Sequence, residues 1–141
     1  MSNVVFNLEV ISPEGNKYQG KAVSLTANTK NGQLTILANH TPLFTVLDPG
    51  ELVVHKEDGE DYFSVGSGFL EVSRKKVKVL VDKALHADEI DEQKILEAQE
   101  KAKKILEEKP KGEIFIRNQA AFRRSLIDLK IAKKRKKRHR L

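Results

Sequence analysis

The sequence predicts an all-β N-terminal domain over residues 1–87, followed by an antiparallel α-helical hairpin over residues 88–132 and a basic, disordered tail over residues 133–141. Short apolar runs separated by turn residues fill the first part, which favours an antiparallel β-sandwich or flattened barrel. Near Asp88 the spacing of the apolar residues changes from two to three or four. The two parts therefore have different secondary structure.

The charge changes at the same place. Residues 1–87 hold nine Lys and Arg against ten Asp and Glu, a net charge of −1, and residues 88–141 hold seventeen against ten, a net charge of +7. Together these values give the +6 of the whole chain. A sandwich that carries a basic helical arm is typical of a protein that holds partners.

The strand pattern begins at residues 4–11, where Phe6, Leu8 and Val10 alternate with polar residues. A turn follows because Pro13 presets φ and Gly15 accepts a positive φ. Six further runs have strand character and are separated by turn signals: residues 22–27, 33–37, 51–56, 61–65, 69–73 and 77–81.

Two amphipathic helices follow. The first is expected to begin at an N-cap, Asp88 or Asp91, and to end before Pro110 and Gly112. Its apolar face consists of Ile95, Ala98, Ala102 and Ile105. The second helix has Phe115, Phe122 and Leu129 at heptad spacing, with Leu126 and Ala132 beside them. We expect Ala98 and Ala102 to allow close packing, over a narrow face that lets the hairpin detach.

Composition excludes several classes of function. The chain is 39% hydrophobic and 33% charged, as globular proteins are, and it has no cysteine for disulfides, thiol catalysis or zinc. No apolar stretch approaches the roughly 18 residues that a membrane span requires. These features predict a cytosolic or peripherally attached protein.

No residue is predicted to be catalytic and none to bind a metal. Residues 15–22, GNKYQGKA, approach the phosphate-binding pattern GxxxxGK[ST], but Ala22 lacks the hydroxyl and β-forming residues follow it. The glycines of residues 66–68 precede a strand and indicate a turn or a β-bulge. The four histidines have no metal-ligand spacing.

The basic tail admits three roles: a solvated end, a site for an acidic protein surface, or a site for phosphates of nucleic acid or lipid. Its charges are not interleaved with aromatic residues, which disfavours single-stranded nucleic acid.

Residues 31–45, NGQLTILANHTPLFT, resemble the GELGILPGHAPLLT signature of the epsilon subunit of F-type ATP synthase. Three elements of that family also occur in order: Pro49-Gly50, residues 65–72 (VGSGFLEV) and residues 79–84 (VLVDKA). The resemblance covers residues 4–132. Asn39 replaces the family's glycine, and asparagine tolerates the left-handed conformation, so we expect the turn to persist.

The resemblance implies a ten-stranded sandwich in a noncatalytic rotor subunit of an ATP synthase. It implies proton-driven ATP synthesis, although the residues themselves do not distinguish a proton-driven from a sodium-driven complex. It implies contacts with the gamma subunit, the c-ring and the alpha/beta head, at the cytoplasmic face of the cell membrane, without homo-oligomerisation or nucleic acid. By this resemblance the loop Asn31, Gly32 and Gln33 faces the c-ring. The residues that face gamma are His40, Thr41, Leu43 and Thr45.

The resemblance also implies two roles for the helices. When extended, the second helix inhibits ATP hydrolysis by docking on acidic catalytic subunits, here through Arg117, Arg123, Arg124 and Lys130. Some members bind regulatory ATP, and the corresponding residues are Ile90, Asp91, Lys94, Lys101 and Lys130. Lys94 stands where the motif has a bidentate Arg, and Asp91 has the alternative role of a helix cap. The alternative function is a nucleic-acid- or ribosome-associated adaptor that uses the basic tail.

Overall fold

The computed structural model describes residues 4–140, and the side chains of residues 4–134. Within this range it contains ten β-strands followed by two α-helices. Contacts divide the chain into two compact units, Met1–His86 and Ala87–Leu141. The strands are β1 (Phe6–Ser12), β2 (Gly15–Ala22), β3 (Ser24–Thr29), β4 (Gly32–Leu37), β5 (Leu43–Leu47), β6 (Gly50–Lys56), β7 (Gly59–Val65), β8 (Gly68–Val72), β9 (Val77–Val81) and β10 (Ala84–His86).

All ten strands belong to one sheet, which confirms the predicted sandwich or barrel. The order is β10-β7-β6-β3-β5-β8-β9-β1-β2, and β4 pairs with β3. The strands at the two ends of this order, β10 and β2, also contact each other, so the sheet nearly closes on itself. Its interior is filled by alternate residues of the strands, among them Leu8, Leu25, Leu52, Phe63 and Leu70.

One strand pair corrects the antiparallel prediction. β1 and β9 pair in parallel, with Leu8 opposite Val77 and Ile11 opposite Leu80. The other pairs are antiparallel. The two parallel strands are far apart in the chain, so no tight hairpin dictates their relative direction.

The pattern of apolar residues did not predict three of the strands. β2 is polar and contains two glycines, yet it forms a hairpin with β1 in which Val10 lies opposite Tyr18. β5 follows Pro42 directly, and β10 has only three residues. Each of them pairs with a neighbour that the sequence pattern does identify, so pairing rather than local preference determines their conformation.

In the second unit a short 3₁₀ helix, Ala87–Glu89, precedes α1 (Glu92–Glu107) and α2 (Glu113–Arg140). Asp91 caps α1, since its side chain accepts a hydrogen bond from the backbone N of Lys94 at 3.3 Å. This confirms one of the two expected caps. Between the helices, Lys109 and Gly112 have positive φ values of 52° and 66° and reverse the chain. The helices pack against each other as a hairpin.

The buried faces of the two helices agree in part with the prediction. The expected residues that are buried or half-buried are Ile95, Ala102 and Ile105 in α1 and Phe122, Leu129 and Ala132 in α2. In α1, Ala102 is buried and Ala98 is exposed, with Gln99 half-buried in its place. In α2, Phe115 and Leu126 are 40% and 50% exposed, whereas Ser125, Asp128, Ile131 and Ala132 are buried. The Ser125 hydroxyl is satisfied locally by donating to the backbone O of Phe122 at 2.5 Å. Because each helix has few apolar residues, periodicity alone does not determine which of its sides is buried.

The second helix continues to Arg140, beyond residue 132 where we expected it to end and a disordered tail to begin. Lysine and arginine have high helix propensity, and their charges interact favourably with the C-terminal end of the helix dipole. These two effects account for the longer helix. Leu141 lies outside the described residues.

Candidate partner-binding surface

The loop predicted to face the c-ring is the tip of the β3–β4 hairpin. Asn31, Gly32 and Gln33 are all exposed there. The Thr29 hydroxyl donates to the backbone O of Gly32 at 2.8 Å and accepts from the backbone N of Asn31 at 3.1 Å. Gly32 has φ of 113°, a conformation that favours glycine. The tip is therefore a preformed polar turn.

The turn before β5 has the conformation expected for its asparagine. Asn39 has φ of 63°, and the backbone N of His40 donates to the backbone O of Leu37 at 3.2 Å. The His40 ring is fixed because its Nδ1 donates to the backbone O of Thr41 at 2.7 Å. Asn39 thus replaces glycine without loss of the turn.

The four residues predicted to face gamma do not share one surface. Thr41 is exposed and His40 is half-buried in the turn. Leu43 packs against the core, and Thr45 lies on the same side of β5 because side chains alternate along a strand. The exposed side of β5 instead carries Phe44 and Val46, which are 63% and 43% exposed.

These two side chains begin an exposed apolar surface that sequence reasoning missed. Val46 lies opposite Phe69, which lies opposite Leu80, which in turn lies opposite Ile11 on β1. Phe69 and Leu80 are 45% and 38% exposed, and the rings of Phe44 and Phe69 stack with centroids 5.4 Å apart. We call Phe44, Val46, Phe69 and Leu80, together with the half-buried Ile11 at their edge, the outer apolar row. Contiguous exposed apolar residues of this kind mark interaction sites.

Charged residues border the outer apolar row on one side. Phe44 lies opposite Glu71, Glu71 opposite Lys78, and Lys78 opposite Glu9. Lys76 Nζ also lies 2.6 Å from Glu9 Oε1. An apolar centre with a polar border is the usual composition of a protein–protein interface.

The two predicted loops lie at opposite ends of β5. Thr29, at the base of the Asn31–Gln33 tip, pairs with Leu47 at the end of β5, whereas His40 and Thr41 precede its first residue, Leu43. Beside the latter end is a shallow cavity of about 320 Å³. It is lined by Asn39, His40, Thr41, Pro42 and Arg74.

A second polar cluster joins β6, β7 and β10. Asp61 Oδ2 lies 3.0 Å from Lys56 Nζ, and its Oδ1 lies 3.1 Å from His86 Nε2. Burial raises the pKa of Asp61, but the hydrogen bonds from His86 and Lys56 outweigh that effect and hold it below its ordinary value. The hydrogen bond that the Lys56 ammonium donates to Asp61 raises the pKa of Lys56. This cluster ties the last strand, β10, to the sheet.

The comparisons with known proteins agree with this architecture. Residues 5–87 match the family model of the ATP synthase, Delta/Epsilon chain, beta-sandwich domain. The chain is 37% identical over 125 residues to the ATP synthase epsilon chain of Dichelobacter nodosus, covering 88% of this chain and 87% of the relative. The chain belongs to the ATP synthase epsilon chain family. Against the Moorella thermoacetica epsilon chain it is 38% identical over 127 residues, which covers 89% of this chain and 95% of that one.

Solved structures of ATP synthases contain chains similar to this epsilon-family chain. A chain of the Euglena gracilis mitochondrial ATP synthase, in an OSCP/F1/c-ring complex, matches with a TM-score of 0.73 at 25% identity. The match covers 86% of this chain and 78% of that chain. A chain of the Tetrahymena thermophila mitochondrial ATP synthase central stalk and c-ring matches with a TM-score of 0.51 at 18% identity. This match covers 63% of our chain and 72% of that chain, and it shows the fold alone.

In the epsilon-family helical unit, the residues predicted to inhibit hydrolysis have different environments. Arg117, Arg123 and Lys130 are exposed, and Arg117 pairs with Glu113 at 2.9 Å. Arg124 is half-buried, and its Nε and Nη2 are buried without a hydrogen-bond partner in the described part of the chain. The exposed cations are therefore the ones available to an acidic partner.

The residues that correspond to the family's ATP motif differ in their exposure. Asp91 is occupied as the cap of α1, the alternative role foreseen for it, and Ile90 is buried. Lys94, Lys101 and Lys130 are exposed. Binding of ATP by this set stays a prediction.

Within residues 4–134, no cluster of three His, Asp or Glu side chains has the arrangement of a metal site. In the same described range, neither helix has the length and apolarity of a membrane span.

Proposed function

We propose that this epsilon-family chain is a noncatalytic rotor subunit of an F-type ATP synthase. The sandwich connects the gamma subunit to the c-ring during proton-driven ATP synthesis, and the helical unit inhibits ATP hydrolysis by the alpha/beta head. The chain is peripheral to the membrane, on its cytoplasmic face, and binds there through the complex.

The observation that carries this proposal is a match that spans both units. Relatives with 37% and 38% identity, aligned over 88% and 89% of this chain, are ATP synthase epsilon chains. Because the alignments extend beyond the β-sandwich domain at residues 5–87, they include part of the helical unit as well.

The surfaces of the sandwich suit a coupling role. The outer apolar row offers a continuous site for gamma, and the polar Asn31–Gln33 tip, at the other end of β5 from His40 and Thr41, offers a separate site for the ring. Polar loop tips on a rigid scaffold adapt readily to partners. One rigid domain with two separate contact regions can transmit torque between them.

The charge of the helical unit suits inhibition. Arg117, Arg123 and Lys130 are exposed, and the helix that carries them continues to Arg140. Such charges favour docking on acidic helices and make the docking sensitive to salt.

Reconstitution tests the proposal. ATP synthase stripped of this subunit is expected to regain coupled ATP-driven ion pumping when the full chain is added, and the chain is expected to co-purify with gamma and the c-ring. Association that a nuclease abolishes, with no gain in pumping, would instead support the adaptor function.

A further inference from the structure

The shallow cavity lies at the Leu43 end of β5, close to the outer apolar row. Its lining residue Pro42 is two positions before Phe44, and Arg74 is two positions after Val72, which pairs with Leu43. A partner that covers Phe44 therefore also reaches the mouth of this cavity.

Two turns hold the walls of the cavity in place. The first is closed by the hydrogen bond from the backbone N of His40 to the backbone O of Leu37. The second holds Arg74, because the backbone N and the hydroxyl of Ser73 both donate to the backbone O of Lys76 at 2.9 Å. A preformed site loses little conformational entropy on binding.

The charge of the cavity is uncompensated. Arg74 is exposed and has no ion pair among residues 4–134, whereas Lys76 in the same turn is paired with Glu9. A guanidinium forms planar, bidentate pairs with carboxylates.

We propose that this cavity receives a carboxylate side chain of the subunit that docks on the outer apolar row, and that Arg74 pairs with it. The partner segment thus combines apolar side chains with an Asp or Glu at the Leu43 end of β5. This inference rests on the proposed function, in which gamma is that subunit. The apolar row supplies most of the contact area, and Arg74 selects the partner and fixes its register.

Binding of the full-length chain to the purified gamma subunit tests the proposal. The Arg74→Gln variant is expected to bind about tenfold more weakly at low salt, and its affinity is expected to fall less steeply with added salt. Arg74→Lys retains the charge without the bidentate geometry, so its loss is expected to be smaller. Lys75→Gln is the matched control, because it removes a charge from the same turn without altering the cavity lining, and its affinity is expected to stay within about twofold of wild type.

The Phe44→Ser variant separates this inference from the proposed function. If Phe44→Ser weakens binding while Arg74→Gln and Lys75→Gln both bind like the wild type, the carboxylate site is refuted and docking on the apolar row stands. If the wild-type chain does not bind gamma at all, both the proposed function and the inference are refuted. Arg74 lies at an exposed turn, so the thermal unfolding of Arg74→Gln is expected to match wild type and to exclude misfolding as the cause.

Discussion

Asp61 shows how a single residue stabilises the end of the sandwich. Its side chain is 16% exposed and contacts both Lys56 and His86, so replacing it removes two charge-assisted hydrogen bonds. We expect Asp61→Asn to lower the free energy of unfolding by about 1–2 kcal/mol at pH 7. Asp58→Asn is the matched control, because Asp58 also approaches Lys56, at 3.9 Å, but is 86% exposed.

The pH dependence of this effect has a definite sign. The pKa of Asp61 is lowered from 3.8 in the folded state, so its ionised form stabilises the fold above about pH 3.8. That contribution is lost as the pH falls through the lower folded pKa. Chemical unfolding at several pH values is therefore expected to show the wild type and Asp61→Asn converging in strongly acidic solution. A constant difference across this range would show that the ion pair is not its source.

Gly68 is required for its lack of a side chain rather than for its conformational freedom, because β9 lies very close to it. A Cβ placed there would lie 1.9 Å from the backbone O of Leu80 and 2.7 Å from the Cα of Val81. Gly68→Ala must therefore separate β8 from β9, and we expect it to destabilise the fold by about 2–3 kcal/mol in chemical unfolding. Gly20→Ala is the control: its Cβ would meet the Tyr18 hydroxyl at 3.6 Å, an ordinary contact. Equal stability of the two variants would contradict the close approach.

Several features at the residue scale follow from sequence alone. The N-cap Asp91 and the left-handed Asn39 are local features, determined by neighbours a few positions away, and both predictions are confirmed. The outer apolar row was missed because it depends on the register of β5 against β8 and of β8 against β9, which no local pattern specifies. A signal existed: Leu43–Leu47 reads LFTVL, and Leu80 lies between two valines, so apolar residues occupy both faces of these strands.

At the scale of elements, the helical hairpin depends on one small residue. Ala102 is the buried alanine of α1, and Ala98 is exposed. Ala102→Leu is expected to force the helices apart at a cost of about 1–3 kcal/mol, and Ala98→Leu is expected to cost little. Amide hydrogen exchange in α1 should accelerate in Ala102→Leu only. Equally fast exchange in Ala98→Leu would instead place Ala98 on the buried face beside Ala102, as periodicity predicted.

The same elements show where prediction from sequence ends. The change from strand to helix spacing near Asp88 located the boundary between the units, because period reports local geometry. The buried faces of the helices were predicted only in part: Ala98, Phe115 and Leu126 are exposed, because the few apolar residues of each helix allow more than one face. The parallel β1–β9 pair and the three-residue β10 were missed because long-range pairing determines them.

For the whole molecule, we propose that the first unit couples the rotor and that the second unit inhibits ATP hydrolysis. The first unit has its own buried core, and its strands pair with one another from β1 to β10. The second unit contains the exposed cations Arg117, Arg123 and Lys130. The two functions are therefore expected to be separable by cutting the chain between the units.

The most direct test reconstitutes ATP synthase lacking this subunit with either the full chain or a chain cut after Ala87, and measures ATP hydrolysis and ATP-driven ion pumping together. The cut chain is expected to support pumping as the full chain does, while hydrolysis rises because the inhibitory helices are absent. Hydrolysis that is unchanged by the cut, or pumping that is lost with it, would contradict the account.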